Sequence, residues 1–151
     1  ELAEDTYENL LCIGHYFVPG AEQLLETLHG KYHLYICSNG SKKVQDSRIA
    51  SSGIAKCFDG IFISEELGLN KPDKRYFEAC FAQIPDFKRE SSIMVGDSLT
   101  SDIKGAHNAG LRSVWFNPAH KAMTGDAAPD YEIDALEKLP ILLAELSGVS
   151  E

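Results

Sequence analysis

The sequence predicts an α/β fold in which a parallel sheet carries helices on both faces. Segments with strand and helix patterns alternate along most of the chain, and this order is typical of parallel sheets. The run Ser-Ser-Ile-Met-Val-Gly at 91–96 is almost entirely apolar, as expected of a strand buried on both faces. Several predicted strands end in polar residues, at the sheet edge where ligands of such folds bind.

In the first half of the chain, the spacing of apolar residues over 1–11 predicts an amphipathic helix. Residues 14–20 are predicted to be a linker, because glycine and proline interrupt them. A helix is then predicted over 21–30, with Gly30 ending it. The elements that follow are predicted to be a strand over 32–38, a helix over 41–53 and a strand over 58–64.

In the second half, the pattern predicts a helix over 71–84 with Pro72 at its first position. The apolar strand at 91–96 leads to a predicted helix over 101–110, stopped by Gly110. A further strand is predicted over 112–118. The last element is predicted to be a helix over 133–146, interrupted at Pro140.

Composition excludes several classes of function. The 151 residues are 44% apolar, which is enough for one domain with a buried core. With 23 acidic and 14 basic residues, the net charge is −9, and no basic stripe is evident, so nucleic-acid binding is not expected. No apolar run approaches the roughly 20 residues of a membrane span. An acidic protein still binds an anion where a metal ion and a lysine reverse the local charge.

Cysteine and histidine spacing gives no sign of a disulfide framework or a zinc site. The four cysteines, Cys12, Cys37, Cys57 and Cys80, lie 20 to 25 residues apart in mostly apolar surroundings. We interpret them as reduced core residues of a cytoplasmic protein. The five histidines show no zinc-binding spacing.

Three predicted strand ends carry candidate functional groups: Ser38 and Asn39, then Lys71, then Asp97 with Asp102 in the following helix. Each has a structural explanation, because Ser-Asn-Gly favours turns, an exposed lysine is common, and acidic residues cap helices. Two carboxylates in one crevice repel each other, however, unless a cation lies beside them. Mg²⁺, which prefers oxygen ligands, fits that requirement. A lysine before a helix N-terminus is better explained by a nearby anion.

The ordered set of motifs resembles one known superfamily. Ser-Asn-Gly after an apolar strand, Lys-Pro-Asp, and Gly-Asp-Ser-x-x-x-Asp occur in the order found in haloacid dehalogenase (HAD) superfamily hydrolases of capped subfamily I. Finer segments, such as Trp-Phe-Asn-Pro at 115–118, resemble bacterial pyrimidine 5′-nucleotidases. The resemblance implies a Rossmann-like core over 16–151, preceded at 1–15 by the end of a helical cap and a linker.

The resemblance also implies a chemistry and roles for single residues. In this superfamily an aspartate in an Asp-x-Asp-x-Thr motif on the first strand takes the phosphoryl group, and Mg²⁺ assists. Carried over to this chain, Ser38, Asn39 and Lys71 bind phosphate, and Lys71 and Asp97 are catalytic. Asp97 and Asp102 are assigned to the metal, Asp102 supporting either the metal shell or the lysine.

No Asp-x-Asp occurs in these 151 residues. The nearest mimic, at Asp59, precedes a predicted strand and is interpreted as a turn residue. We therefore expect the first, central strand and most of the helical cap to be absent from this chain. An upstream segment of the same protein is expected to supply that strand, and the 151 residues are expected to be inactive alone.

Several functions remain open at this point. The first is a Mg²⁺-dependent nucleoside 5′-monophosphate hydrolase that acts through an aspartyl phosphate. A second is another phosphatase, or a phosphoglucomutase, of the same superfamily that acts on a sugar phosphate or phosphoglycolate. A dehalogenase is less favoured, because that chemistry needs no metal. The third is a catalytically inert regulatory or interaction domain.

Overall fold

The computed structural model describes residues 7–10, 21–39, 41–43 and 55–146. Six parallel strands form one sheet in the order β3-β2-β1-β4-β5-β6. The strands are β1 (Tyr7–Leu10), β2 (His33–Ser38), β3 (Gly60–Ile63), β4 (Ser92–Gly96), β5 (Arg112–Phe116) and β6 (Tyr131–Ile133). The predicted α/β class with a parallel sheet is confirmed.

Helices cover both faces of this sheet. They are α1 (Ala21–Leu28), α2 (Ser64–Leu67), α3 (Lys74–Phe81), α4 (Lys104–Ala109) and α5 (Leu139–Leu146). The side chains of β4 alternate between the two faces. Ile93 and Val95 pack with the apolar sides of α1 and α5, whereas Met94 packs with those of α3 and α4. The two cores therefore enclose β4, which is buried throughout as its sequence predicted.

The centre of the sheet differs from the expectation. Tyr7–Leu10 form a strand that pairs in parallel with both β2 and β4, so the helix predicted over 1–11 is wrong for these four residues. The central position expected to be empty in this chain is occupied by β1. Without a strand between them, the buried strands β2 and β4 would have unpaired backbone groups. The hydrogen bonds gained by pairing with both strands stabilise the segment more than its weak helical pattern would. The division into 1–15 and 16–151 stays a prediction.

The boundaries of other elements differ from the predicted ones for local reasons. The helix predicted over 71–84 begins at Lys74, because the Asp73 side chain accepts a hydrogen bond from the backbone N–H of Arg75 and caps it. Pro72 therefore precedes the helix. Gly110 ends α4 in the left-handed conformation, as predicted. Pro140 is tolerated in the first turn of α5, where backbone N–H groups have no helical partner.

Three short turns of 3₁₀ helix lie at Ala55–Cys57, Arg89–Ser91 and Leu136–Lys138. Strand β6 was not predicted, because three residues give too short a pattern. The predicted linker over 14–20 and most of the predicted helix over 41–53 lie outside the described residues.

The described cysteines agree with their prediction. Cys37 and Cys80 are buried reduced thiols, and Cys57 is a half-buried one; Cys12 lies outside the described residues. Within the described part of the chain, no helix has the length and apolar character needed to cross a membrane.

Candidate functional site

A buried ion pair lies at the carboxyl ends of β2 and β4. Lys71, in the segment between α2 and α3, places its Nζ 2.6 Å from Asp102 Oδ1, and the two side chains are only 5% and 4% exposed. The same ammonium group donates a hydrogen bond to the Cys37 carbonyl oxygen of β2 at 2.8 Å. Because a buried charge is tolerated only when it is paired and hydrogen-bonded, these contacts explain how Lys71 remains inside the protein.

Asn39 fixes the backbone of that lysine. Its Oδ1 accepts a hydrogen bond from the Lys71 N–H at 2.9 Å, and its Nδ2 donates to the Lys71 carbonyl oxygen at 3.1 Å. Both ends of one side-chain amide are thus used on a single residue. The end of β2 and the Lys71 segment are held in one geometry, which brings two motifs of the sequence together.

Asp102 is oriented by the turn that follows β4. Residues Leu99–Ile103 form a π-helical turn, and the backbone N–H of Ser98 donates to Asp102 Oδ2 at 3.2 Å. A Cβ atom on Gly96 would lie 2.5 Å from Asp102 Cγ, closer than non-bonded atoms approach. The glycine of Gly-Asp-Ser is therefore required by the position of this carboxylate.

Asp97 directly follows β4, at its carboxyl end. Its carbonyl oxygen accepts a hydrogen bond from Trp115 Nε1 at 3.1 Å, which ties it to β5. The residue as a whole is exposed, but partial burial of its carboxyl group raises its pKa, and the Asp102 carboxylate adds to the rise. Lys71 and Lys121 act in the opposite direction. A bound cation would stabilise the ionised form of this carboxylate.

The donor chemistry fits Mg²⁺ in part. Asp97 offers a carboxylate at a ligand-binding edge, and hard cations prefer such oxygen ligands. Asp102, by contrast, directs one oxygen to Lys71 and the other to a backbone N–H. Over residues 7–10, 21–39, 41–43 and 55–146, no three acidic, histidine or cysteine side chains form a metal-binding group. Of the two alternatives for Asp102, support of the lysine is the one with direct contacts.

The structure brings four of the predicted residues together, namely Asn39, Lys71, Asp97 and Asp102. Ser38 lies half-buried at the end of β2, with its Oγ 3.3 Å from the Asn39 carbonyl oxygen. The functional roles assigned to these residues stay predictions. Sequence reasoning missed the Cys37 carbonyl and the Trp115 indole, because neither residue type signals such a contact. Asp59 lies in the bend before β3, in agreement with its interpretation as a turn residue.

Residues 3–116 match the family model of haloacid dehalogenase-like hydrolases. The chain belongs to this family. Among curated HAD relatives, the pyrimidine 5′-nucleotidase PynA of Streptococcus pneumoniae is 41% identical over 80% of this chain. The pyrimidine 5′-nucleotidase YjjG of Escherichia coli is 36% identical over 85% of this chain. The predicted family resemblance is confirmed.

A solved HAD structure shows the same fold. The magnesium-bound crystal structure of the Bacillus subtilis HAD-hydrolase YfnB superposes with a TM-score of 0.81 at 42% identity. The match covers 83% of this chain and 55% of YfnB. The matched region is likewise 51% of PynA and 57% of YjjG. The chain thus spans only a little over half the length of these relatives.

Proposed function

We propose that the full-length protein is a Mg²⁺-dependent phosphohydrolase that works through an aspartyl phosphate. The observation that carries the proposal is the buried Lys71–Asp102 ion pair at the carboxyl ends of β2 and β4, the second of which is followed directly by Asp97. A lysine is costly to bury, and a fold that needed only stability could replace the pair by apolar side chains at little cost. Family membership supports the same chemistry.

Each residue has a role that its contacts support. Asp97 would hold Mg²⁺, which neutralises phosphoryl oxygens and orients them for in-line attack. Lys71 would steady the negative charge that builds up on the phosphoryl group and the nucleophile. Asp102 pairs with that ammonium group and orients it, and Asn39 fixes the backbone that carries it. Ser38 would donate a hydrogen bond to phosphate from the end of β2.

The proposal requires a nucleophile that these 151 residues do not offer in an Asp-x-Asp motif. We propose that another segment of the protein supplies this aspartate on a strand that takes the position of β1. The sequence of β1 is compatible with exchange, because Tyr-Glu-Asn-Leu is much more polar than its neighbours β2 and β4. Central strands of parallel sheets are ordinarily apolar along their whole length.

The proposed substrate class is a nucleoside 5′-monophosphate with a pyrimidine base. It rests on the two nucleotidase relatives at 41% and 36% identity. A sugar phosphate or phosphoglycolate is the alternative, and relatives at lower identity include a phosphoserine phosphatase and an N-acylneuraminate-9-phosphatase.

The test is a phosphate-release assay of the full-length protein against pyrimidine and purine monophosphates, sugar phosphates and phosphoglycolate. We expect turnover that needs Mg²⁺ and stops with EDTA. Asp97→Asn should lower kcat by a factor of about 100 or more. Asp126→Asn, the same change at a carboxylate whose side chain is 81% exposed, is the matched control and should leave turnover unchanged. Activity that survives both EDTA and Asp97→Asn would refute the proposal.

One observation favours a second candidate, an inert regulatory or interaction domain. Strand β1 completes the sheet with residues of this chain, and the sequence after it continues Leu-Cys-Ile without a carboxylate. Binding of Mg²⁺ and phosphate without any turnover by the full-length protein would support this candidate.

A further inference from the structure

A second asparagine holds a second lysine in the loop between β5 and β6. Asn117 follows β5 and is only 3% exposed. Its Oδ1 accepts a hydrogen bond from the Lys121 N–H at 3.0 Å, and its Nδ2 donates to the Lys121 carbonyl oxygen at 3.0 Å and to Glu132 Oε2 at 2.8 Å. These hydrogen bonds fix the backbone of the loop at Lys121, although Lys121 itself is exposed.

This arrangement repeats the one at Asn39 and Lys71. In both cases an asparagine at the carboxyl end of a strand uses its two amide ends on the backbone N–H and C=O of a lysine. The two lysines differ in the burial and the partners of their ammonium groups. Lys71 is buried against Asp102, whereas Lys121 is exposed, and its ammonium group makes no ion pair within the described residues.

The Lys121 loop lies on the Asp97 side of the sheet. Trp115, two residues before Asn117, donates its indole N–H to the Asp97 carbonyl oxygen at 3.1 Å. Because β4 and β5 are parallel neighbours, their carboxyl ends lie at the same edge of the sheet. This pairing and the Trp115 hydrogen bond thus associate the end of β5 with Asp97.

We propose that Lys121 binds an anionic oxygen of the substrate's phosphoryl group, opposite Lys71, and positions it over Asp97. The inference rests on the proposed function. Asp97, Asp102, Lys71 and the proposed nucleophilic aspartate together carry a net charge of minus two, which repels a phosphate monoester. A divalent cation brings the sum to zero, and Lys121 brings it to plus one, which attracts a phosphate monoester dianion. The overall acidic chain makes such local compensation necessary.

The test measures binding to the full-length protein by titration calorimetry, with Mg²⁺ alone and with inorganic phosphate in saturating Mg²⁺. Lys121→Gln should weaken phosphate binding about 3- to 10-fold and leave Mg²⁺ binding equal or slightly tighter, because a like charge has been removed near the metal. Lys121→Arg should keep most of the phosphate affinity. Lys104→Gln, which changes a lysine paired at 3.5 Å with Asp126, should alter neither affinity.

The outcomes separate the inference from the function on which it rests. Wild-type protein that binds phosphate no better than Lys121→Gln overturns the inference alone. Equal weakening of Mg²⁺ and phosphate in Lys121→Gln also overturns it, because a loop disturbance would then explain the result. Wild-type protein that binds neither ligand overturns the inference together with the proposed function.

Discussion

Replacing Asp102 with asparagine removes the negative charge that neutralises Lys71 and keeps the side-chain shape. The ammonium group would remain buried, since the Lys71 side chain is 5% exposed, with the Cys37 carbonyl as a hydrogen-bond acceptor. Breaking a buried ion pair on one side costs about 3 to 5 kcal/mol. For a chain of this size that loss corresponds to a decrease in Tm of about 6 to 20 °C.

A double-mutant cycle isolates the pair. Lys71→Met alone should also cost about 3 to 5 kcal/mol, because the Asp102 carboxylate is then left unpaired. The double variant Lys71→Met with Asp102→Asn should lose only about 1 to 3 kcal/mol, chiefly because the Cys37 carbonyl lacks its donor. The coupling free energy is therefore expected to be at least about 3 kcal/mol.

The assay is urea unfolding followed by circular dichroism, which gives the free energy of unfolding of each variant. The matched control is the same cycle at Lys104 and Asp126, an exposed pair at 3.5 Å, for which the coupling should stay below about 1 kcal/mol. A coupling at the Lys71–Asp102 pair no larger than at the control would refute the reasoning.

Two further predictions concern the same strand end. Gly96→Ala should destabilise the fold by about 1 to 3 kcal/mol in urea unfolding, because the new methyl group would overlap Asp102; unchanged stability would contradict the contact. Asp97→Asn should be more stable than wild type at neutral pH without metal. The folded-state pKa of Asp97 is raised above 3.8. Protonated Asp97 therefore stabilises the fold below that pH, and this stabilisation is lost as the pH rises through the folded-state pKa. The difference in Tm should therefore shrink toward zero as the pH is lowered, and equal Tm values at all pH would be evidence against the raised pKa.

The sheet was predictable from sequence because its strands carry strong local patterns. Ile93 to Val95 form an unbroken apolar run, and the turn residues around each strand are conspicuous. Strand β1 was not predictable, because only Tyr7 in Tyr-Glu-Asn-Leu favours a strand, whereas glutamate and asparagine are depleted in strands. Its structure comes from the pairing demands of β2 and β4, which are tertiary effects.

The candidate site was predictable as a set of residues but not as a set of contacts. Motif order indicated that Asn39, Lys71 and Asp102 belong together. It did not indicate which oxygen of Asp102 contacts Lys71, or that the Asn39 side chain forms hydrogen bonds with the backbone of Lys71. Asn117 was not proposed at all, because an asparagine before a proline is equally well explained as a turn residue.

The Asn39 and Lys71 contacts also bear on how the protein folds. The hydrogen bonds that Lys71 makes with Asn39, Cys37 and Asp102 join residues 31 to 34 positions apart in the chain. Loops of that length must close before any of these bonds can form, so the chain loses conformational entropy before it gains the bonds. A probe that reports on the Lys71 ammonium group would therefore register a step of folding that follows the formation of the helices and the nearest strand pairs.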